Sequence, residues 1–205
     1  MDKYREVIYK NYRDSGYSSV VTDNPKDIKS RMEGYRLDLG VFLPEDKSSK
    51  ILDLGCGSGY LLDLLLKSGY RNTSGVDISS DQVAFAAKNK LPVVCEDALS
   101  FLRSHKEYDV IIATDMIEHL NKGEIVSLLL AIRDSLKPGG FVILRTVNAS
   151  SIVGNIGRYF DFTHETSFTE HSLQQVLVSC GFTNVIVTDN KIPFGFNIGK
   201  KNQFR

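Results

Sequence analysis

Short continuous apolar runs alternate along the chain with longer segments in which apolar residues recur every three or four positions. The continuous runs are typical of parallel strands buried on both faces of a sheet, and the longer segments are typical of amphipathic helices. Strands are predicted at 51–54, 73–76, 92–95, 108–114, 141–147 and 184–188. Helices are predicted at 60–67, 80–89, 98–104, 122–136 and 170–180. This alternation predicts an α/β fold with a mostly parallel sheet.

The N-terminal part of the chain precedes this alternation. Residues 1–45 are predicted to form a helical cap segment, and residues 46–205 the main domain. Within the cap, the charged and tyrosine-bearing stretch 1–12 favours a helix. A second helix is predicted at 25–39, with Asn24 as its N-cap and a proline as its first residue.

A glycine-rich turn joins the first strand of the main domain to its helix. Asp53, Gly55, Gly57 and Gly59 stand at every second position, so the backbone can turn sharply and a ligand can lie close against it. A dinucleotide fingerprint needs a glycine where the chain has Tyr60, and no Gly-Lys-Ser/Thr follows as in a phosphate-binding loop. A carboxylate at the strand end, without these phosphate-binding features, suits a ligand with a cationic group.

The motif resembles the glycine turn of the class I S-adenosylmethionine (SAM)-dependent methyltransferases. The resemblance covers about residues 50–190 and includes Leu-Lys-Pro-Gly-Gly before the strand at 141–147. It implies SAM as the cofactor and S-adenosylhomocysteine (SAH) as the product, with Asp53, Cys56 and the three glycines at the cofactor. It also implies a Rossmann-like three-layer α/β/α sandwich with a seven-stranded, mostly parallel sheet in the order 3-2-1-4-5-7-6. Only residues 192–205 remain for the seventh strand.

Acidic residues after the next two strands extend the predicted cofactor site. Asp77 lies about twenty residues after the glycine turn, the separation at which nucleotide sites place an acid that binds the ribose hydroxyls. Its alternative role is to cap a helix. The resemblance implies that Ile78 contacts the adenine, that Asp97 accepts a hydrogen bond from its amino group, and that the amide of Ala98 meets a ring nitrogen. Asp97 is also suited to cap the helix at 98–104, and both roles are compatible.

The fourth predicted strand, 108–114, ends in Asp115, with Glu118 and His119 close behind it. Open α/β sheets bind ligands at the carboxyl ends of their strands, so we assign Asp115 to the cofactor site and His119 to the chemistry. Glu-His-Leu at 118–120 also resembles a subgroup of the family that methylates small molecules. Asp115, Glu118 and His119 offer metal ligands as an alternative, but residues this close in sequence seldom converge on one ion, and no metal is predicted.

A polar loop after the fifth strand carries two of the four histidines among aromatic residues, and long loops at the ligand edge usually carry function. The Asp-Phe-Thr-His sequence from Asp161 to His164 resembles methyltransferases of bacterial glycan and polysaccharide biosynthesis. The implied acceptor is a hydroxyl oxygen of a sugar or other small polar molecule, whose proton a base must remove. We predict His164 as that base and His119 as the second candidate. Asp161 is expected to orient the imidazole or to bind a sugar hydroxyl.

Five further residues complete the predicted site. Tyr159 and Phe162 are expected to stack on the acceptor, and Arg158 to bind it. In the family, an arginine of the N-terminal segment can meet the SAM carboxylate. Arg31 and Arg36 are the candidates, with Arg36 assigned to the cofactor site; an exposed helix face is the alternative role for both.

Charge and cysteine content narrow the kinds of partner and the cellular compartment that the sequence predicts. The 25 basic and 25 acidic residues balance, and no block of like charges predicts a nucleic-acid partner. No apolar run is long enough for a membrane span, and the N-terminus is too polar for a signal peptide. Cys56, Cys95 and Cys180 are odd in number and far apart in apolar contexts, which favours reduced thiols in the cytoplasm. The predicted partner is a small-molecule or glycan acceptor, and the sequence carries no signal for an oligomeric state.

Three other functions are compatible with parts of the pattern. N- or C-methylation of a small metabolite would need less base catalysis. Intact glycine, ribose and histidine positions disfavour a non-catalytic SAM-binding domain of a larger glycan-assembly protein. Tyr60 disfavours a nicotinamide oxidoreductase. The basic tail, with Lys200, Lys201 and Arg205, leads us to expect that the chain is one module of a larger protein or ends early.

Overall fold

The computed structural model describes residues 3–10, 12, 24–151 and 154–188, with residue 155 as backbone only. Five strands form its central sheet: β1 (Ile51–Leu54), β2 (Thr73–Asp77), β3 (Val93–Cys95), β4 (Tyr108–Thr114) and β5 (Leu136–Arg145). Their order is β3-β2-β1-β4-β5, and all four pairings are parallel. Parallel neighbours need a crossover connection, which the helices between the strands provide.

Helices lie before, between and after the strands. They are α1 (Lys3–Tyr9), α2 (Pro25–Leu39), α3 (Tyr60–Lys67), α4 (Ser80–Lys88), α5 (Ala98–Ser104), α6 (Lys122–Arg133), α7 (Gly154–Phe160) and α8 (Glu170–Ser179). Short 3-10 turns occur at Gly40–Phe42 and Ile117–His119. Across the described residues, no helix combines the length and the apolar character needed to cross a membrane.

The sheet carries a hydrophobic layer on each face. One cluster joins β1 and β4 to α5, α6 and α8 and includes Leu52, Ile111 and Leu129. The other joins the same two strands to α2 and α3 and includes Ile51 and Ile112. Successive residues of β1 and β4 therefore face opposite layers, as the two-residue period of a strand requires. The predicted three-layer α/β/α sandwich is confirmed.

Capping residues set where several helices begin. The side chain of Asn24 accepts a hydrogen bond at the start of α2, and Pro25 is the first residue of that helix, as predicted. Asn121 and Glu124 form a reciprocal capping box at the start of α6, and Thr169 begins α8 in the same way. Because these caps satisfy the free N–H groups of the first turn, they fix the loops that precede the helices.

The last part of the sheet differs from the prediction. Residues 184–188 form no strand, so the predicted sixth strand is wrong. In this segment Ile186 is 81% exposed, so its side chain is not buried against the sheet as a core strand requires. The predicted seventh strand, 192–205, lies outside the described residues.

Three boundaries around β5 also differ. The predicted turn at 137–140 is part of the strand, because Leu136 already pairs with Tyr108 before a register shift in the ladder. Helix α6 ends at Arg133, before the position predicted for its end. The polar stretch after β5, predicted to lack helix, contains α7.

Candidate active site

A cavity of about 970 Å³ opens at the carboxyl ends of β1, β2 and β4. The chain order in the sheet reverses between β1 and β4, and an open α/β sheet leaves a ligand crevice at that point. The predicted site residues that line the cavity are Asp53, Gly55, Cys56, Gly57, Asp77, Ile78, Asp97, Ala98, Asp115, His119, Asp161 and His164. One cavity therefore joins the predicted cofactor residues to the predicted catalytic residues.

The glycine turn after β1 depends on glycine for conformation and for space. The φ angles of Gly55, Gly57 and Gly59 are 76°, 51° and 79°, in the left-handed region that side chains disfavour. A Cβ on Gly59 would lie 2.5 Å from Cδ1 of Leu91, and one on Gly57 would lie 3.0 Å from Oε1 of Gln82. Gly59 itself supports the turn from behind, since it does not line the cavity.

Asp77 connects the glycine turn to the end of β2. Its Oδ2 accepts a hydrogen bond from the Gly57 N–H at 2.8 Å, and its Oδ1 accepts one from the Ser79 N–H at 2.8 Å. Burial raises the pKa of the Asp77 carboxyl, although both hydrogen bonds act against the rise. The helix-capping alternative is not realised, because Ser79 is the N-cap of α4 and Asp77 accepts from the N–H of Ser79 itself. Asp77 faces the cavity beside Ile78.

The predicted adenine end of the cavity follows β3. Asp97 accepts a hydrogen bond from the Ser100 N–H at 2.9 Å, which makes it the N-cap of α5. Asp97 and Ala98 both line the cavity. Capping fixes the position of the carboxylate while one side of it remains available to a ligand.

Asp53 is a buried carboxyl that has no hydrogen-bond partner among the described residues. The residue is 1% exposed, and neither carboxyl oxygen meets a donor in this part of the chain. Burial, assisted by the nearby charge of Asp77, raises the pKa of Asp53 to about 7. A buried carboxylate is costly unless it is paired, so this end of the cavity favours a ligand with a positive charge.

Arg145, at the end of β5, organises the carboxyl end of β4. It forms an ion pair with Asp115, and its Nη1 lies 3.5 Å from Oδ2 of Asp38 in α2. Its guanidinium lies 4.8 Å from the ring centroid of Tyr35. Burial opposes the charge, but Asp115, Tyr35 and Asp38 together raise the pKa of Arg145. These contacts tie α2 to the sheet beside the cavity. Arg145 was not among the site residues predicted from the sequence.

Glu118 is a buried residue of the cavity wall, next to His119. It is 1% exposed, and its Oε2 accepts a hydrogen bond from the Thr146 hydroxyl at 2.9 Å. Burial, followed by the charge of Asp115, raises the pKa of Glu118 to about 8. Its backbone carbonyl accepts from the N–H groups of Glu165 and Thr166 at 2.7 and 3.0 Å, which anchors the loop that carries His164.

The three residues considered as metal ligands have other partners. Asp115 pairs with Arg145, Glu118 bonds to Thr146, and Nδ1 of His119 lies 2.7 Å from the hydroxyl of Thr163. Over the residues that the structure describes, no group of three metal-binding side chains converges.

Two imidazoles meet at the far end of the cavity. The ring centroids of His119 and His164 are 4.6 Å apart, and the rings are nearly perpendicular. Nδ1 of His164 lies 2.9 Å from the carbonyl oxygen of Gly157. A carbonyl can only accept, so this Nδ1 carries the proton and Nε2 has the free lone pair. Burial, followed by the nearby His164, lowers the pKa of His119 to about 4.

Asp161 supports His119 rather than His164. Its Oδ1 lies 2.6 Å from the hydroxyl of Thr163, which in turn contacts His119, and its Oδ2 accepts from the Tyr12 hydroxyl at 2.5 Å. Burial acts the other way, but the hydrogen bonds from Thr163 and Tyr12 lower the pKa of Asp161. The predicted orienting role thus falls on a different imidazole from the predicted base.

Besides Gly59, four predicted residues do not line the cavity. Tyr159 and Phe162 are 78% and 81% exposed. Arg158 donates to the backbone carbonyls at 164 and 165, which fixes the loop. Arg36 is exposed and pairs with Glu33. Arg31 of the same helix does line the cavity, and its guanidinium lies 5.6 Å from the ring centroid of Tyr60.

The cap helix α1 supplies site residues that the sequence analysis missed. Arg5 and Tyr9 line the cavity, as does Tyr12 just beyond the helix. Arg5 is 4% exposed and pairs with Glu124 of α6 at 2.7 Å. The signal was present as the charged, tyrosine-bearing composition of the first twelve residues, but the sequence did not reveal which surface they cover.

A family model described as a methyltransferase domain matches residues 27–187, which is most of the chain. The match runs from α2 through the glycine turn, both imidazoles and α8. The chain belongs to the class I SAM-dependent methyltransferases.

Solved structures of methyltransferases share its fold. A SAM-dependent methyltransferase from Archaeoglobus fulgidus is 27% identical with a TM-score of 0.69, and the likeness covers 82% of this chain and 73% of that one. A phosphoethanolamine N-methyltransferase from Haemonchus contortus, in complex with phosphoethanolamine and SAH, has a TM-score of 0.59. That protein is 18% identical over 71% of this chain and 32% of its own, so it shows the fold alone.

Sequence relatives carry an O-methyltransferase name. A ubiquinone biosynthesis O-methyltransferase from Hydrogenovibrio crunogenus is 31% identical over 109 residues, and one from Rickettsia canadensis is 30% identical over 104 residues. These matches cover 50% and 48% of this chain. The chain spans 44% and 43% of the lengths of the two relatives, less than half of either.

The cavity of this methyltransferase fits SAM by the chemistry of its wall. SAM carries a sulfonium and an ammonium group, and the buried, unpartnered carboxyl of Asp53 suits a positively charged ligand. The glycine turn leaves space beside it, and the acids Asp77 and Asp97 suit ribose and adenine donors. The SAM cofactor predicted from the glycine motif is confirmed.

Proposed function

We propose that this chain transfers the methyl group of SAM to a hydroxyl oxygen of a small acceptor, with His164 as the general base. The proposal rests on one observation: the imidazole of His164 lies in the cavity wall, and its Nδ1–H donates to the Gly157 carbonyl at 2.9 Å. That bond leaves the Nε2 lone pair for the acceptor proton. A base placed in this way contributes about 10²–10⁴ in rate.

The residues of the cavity have separate tasks in this proposal. SAM supplies an electrophilic methyl group on a sulfonium with a neutral leaving group. The glycine turn, Asp53, Asp77 and Asp97 hold the cofactor, while His164 removes the proton from the acceptor. The chain is divided in this proposal into the cap segment, residues 1–45, and the main domain, residues 46–205. The described cap residues Arg5, Tyr9 and Tyr12 lie in the cavity wall, which supports a role of the cap in excluding water from the acceptor.

The acceptor remains a small hydroxyl compound in our proposal. A sugar acceptor in polysaccharide biosynthesis is suggested by the resemblance of the loop from Asp161 to His164, whereas the sequence relatives named above carry a different name. The relatives named ubiquinone biosynthesis O-methyltransferase instead favour a hydroxyl on a ring. Methylation of a hydroxyl on either kind of acceptor needs a base to remove the proton, whereas N- or C-methylation needs a base less. Because His164 lies in the cavity wall as a candidate base, oxygen is the preferred target. The free thiols of Cys56, Cys95 and Cys180 support a reducing, cytoplasmic setting.

Methyl transfer from labelled SAM to a defined panel tests the proposal. We would use catechol, methyl glucoside and UDP-glucose as hydroxyl acceptors and phenethylamine as an amine, with SAH titrated by calorimetry alongside. The expected result is SAH binding and label on one class of hydroxyl acceptor. Label on the amine alone would contradict O-methylation, and SAH binding without transfer to any acceptor would favour a non-catalytic domain.

Arg31 and Arg36 offer a matched pair for the cofactor site, since both lie on α2 and only Arg31 lines the cavity. Arg31→Met should raise the Kd for SAH about tenfold, because a charge-assisted hydrogen bond to a carboxylate is worth about 1.5–3 kcal/mol. Arg36→Met should leave the Kd unchanged. Calorimetric titration measures both, and equal effects of the two substitutions would contradict the assignment of Arg31.

A further inference from the structure

A buried chain of hydrogen bonds runs from the cap segment to His119. The Tyr12 hydroxyl donates to Oδ2 of Asp161 at 2.5 Å, and Oδ1 of Asp161 lies 2.6 Å from Oγ1 of Thr163. Oγ1 of Thr163 lies 2.7 Å from Nδ1 of His119. Thr163 is 0% exposed, so its hydroxyl bonds to these partners instead of to solvent.

The chemistry of the partners fixes the direction of each bond. Oδ1 of Asp161 already accepts the Thr163 N–H at 2.8 Å, and the ionised carboxylate has no proton to give. The single hydroxyl proton of Thr163 must therefore point to Asp161, because two lone pairs at 2.6 Å would repel each other. The oxygen lone pairs of Thr163 remain for a donor, and the group at hydrogen-bond distance that can donate is Nδ1–H of His119.

We infer that Thr163 is a positioning residue that fixes His119 as the Nδ1–H tautomer, so that its Nε2 lone pair accepts a hydrogen bond from the methyl acceptor. This inference rests on the proposed function, in which His164 is the base. Both imidazoles then present acceptor nitrogens to the same end of the cavity, since Nδ1 of His164 is also committed, to the Gly157 carbonyl. A hydroxyl donor is held between them, with its proton directed at nitrogen.

The arrangement also assigns a role to Asp161. The carboxylate does not touch either imidazole ring in the described contacts; it orders the Thr163 hydroxyl, and the hydroxyl orders the ring of His119. Without the Thr163 oxygen, no other described contact holds the proton of His119 on Nδ1. The ring could then place its N–H toward the acceptor, where a hydroxyl would meet a donor instead of a lone pair.

Isosteric substitutions at Thr163 test the inference. Thr163→Val removes only the hydroxyl, and Thr163→Ser keeps it. Nitrogen-15 NMR of the histidine rings, with the His119 signal assigned from His119→Gln, reports the tautomer without any acceptor present. Turnover is measured with catechol or methyl glucoside, whichever the unsubstituted chain methylates. Thr166→Val is the control, because its hydroxyl bonds to the Leu120 carbonyl and it does not line the cavity.

We expect Thr163→Val to lose the Nδ1–H tautomer of His119 and to lower kcat about tenfold, the value of one hydrogen bond, with the Kd for SAH unchanged. Thr163→Ser should restore both, and Thr166→Val should change neither. An unchanged tautomer in Thr163→Val, or an equal loss in Thr163→Ser, overturns the inference. A changed tautomer with full kcat overturns the positioning role while the proposed function stands. If the unsubstituted chain methylates no hydroxyl acceptor, the proposed function fails, and the role fails with it.

Discussion

Replacing His164 by glutamine should lower kcat by about 10²–10⁴-fold, the range in which a positioned general base contributes. The amide can still donate to the Gly157 carbonyl, which His164 reaches at 2.9 Å, so the loop should keep its position. It cannot take up a proton near neutral pH. The Kd for SAH should remain unchanged, because the cofactor residues lie at β1, β2 and β3. Steady-state turnover with the preferred hydroxyl acceptor, paired with SAH calorimetry, measures the two quantities separately.

His171 provides the matched control for this substitution. It lies in α8, is exposed, and does not line the cavity. His171→Gln should therefore retain full activity. Normal turnover by His164→Gln would eliminate His164 as the base. A fall in kcat accompanied by loss of SAH binding would instead indicate a structural effect, which the thermal unfolding of both variants would reveal.

Local patterns in the sequence predicted several residues that the structure brings together on one side of the cavity. The glycine turn, Asp77 and Asp97 each follow a strand, and the carboxyl ends of parallel strands meet at one edge of the sheet. Their neighbourhood in space thus follows from the strand order alone. Apolar runs and their periodicity also predicted α2, α3, α5 and β4 with the boundaries that the structure has.

The acceptor side depends on contacts that local patterns do not encode. Tyr12 and Asp161 are 149 positions apart, and His119 and Thr163 are 44 positions apart. The sequence indicated that the loop after β5 carries function, but not which of its side chains turn inward. Aromatic residues were predicted to stack on the acceptor, yet Tyr159 and Phe162 point to solvent. The inward positions are occupied by Thr163 and His164 instead.

The misplaced boundaries near β5 have a backbone cause. Pro138 and two glycines are typical of a turn, but the parallel ladder with β4 continues through them after a register shift. Tertiary pairing thus overrides a local turn preference. In the opposite case, the β-branched residues at 184–188 favour a strand, and the structure nevertheless forms none there.

The unsubstituted chain should lose stability as the pH rises from acid to mildly alkaline values, and Asp53→Asn should abolish this loss. The pKa of Asp53 rises from an ordinary 3.8 to about 7 in the folded chain, so the folded state holds a proton that the unfolded state has released. Stability from this group is full below the unfolded pKa and is lost as pH rises toward about 7. The loss is about 3 kcal/mol between pH 5 and pH 8 and about 4 kcal/mol in total. Denaturant unfolding at both pH values measures it.

The control for Asp53→Asn is Asp134→Asn, an exposed carboxylate at the end of α6 that pairs with Arg133. Its stability profile should run parallel to that of the unsubstituted chain, while the profile of Asp53→Asn should be flatter. A ligand with a positive charge favours the ionised Asp53, so SAH should bind the unsubstituted chain more tightly at pH 8 than at pH 6. Asp53→Asn should bind SAH weakly at both values. Equal pH slopes in Asp53→Asn and the unsubstituted chain would mean that Asp53 finds a partner in the apo protein, and that the cationic end of the cofactor is held by another group.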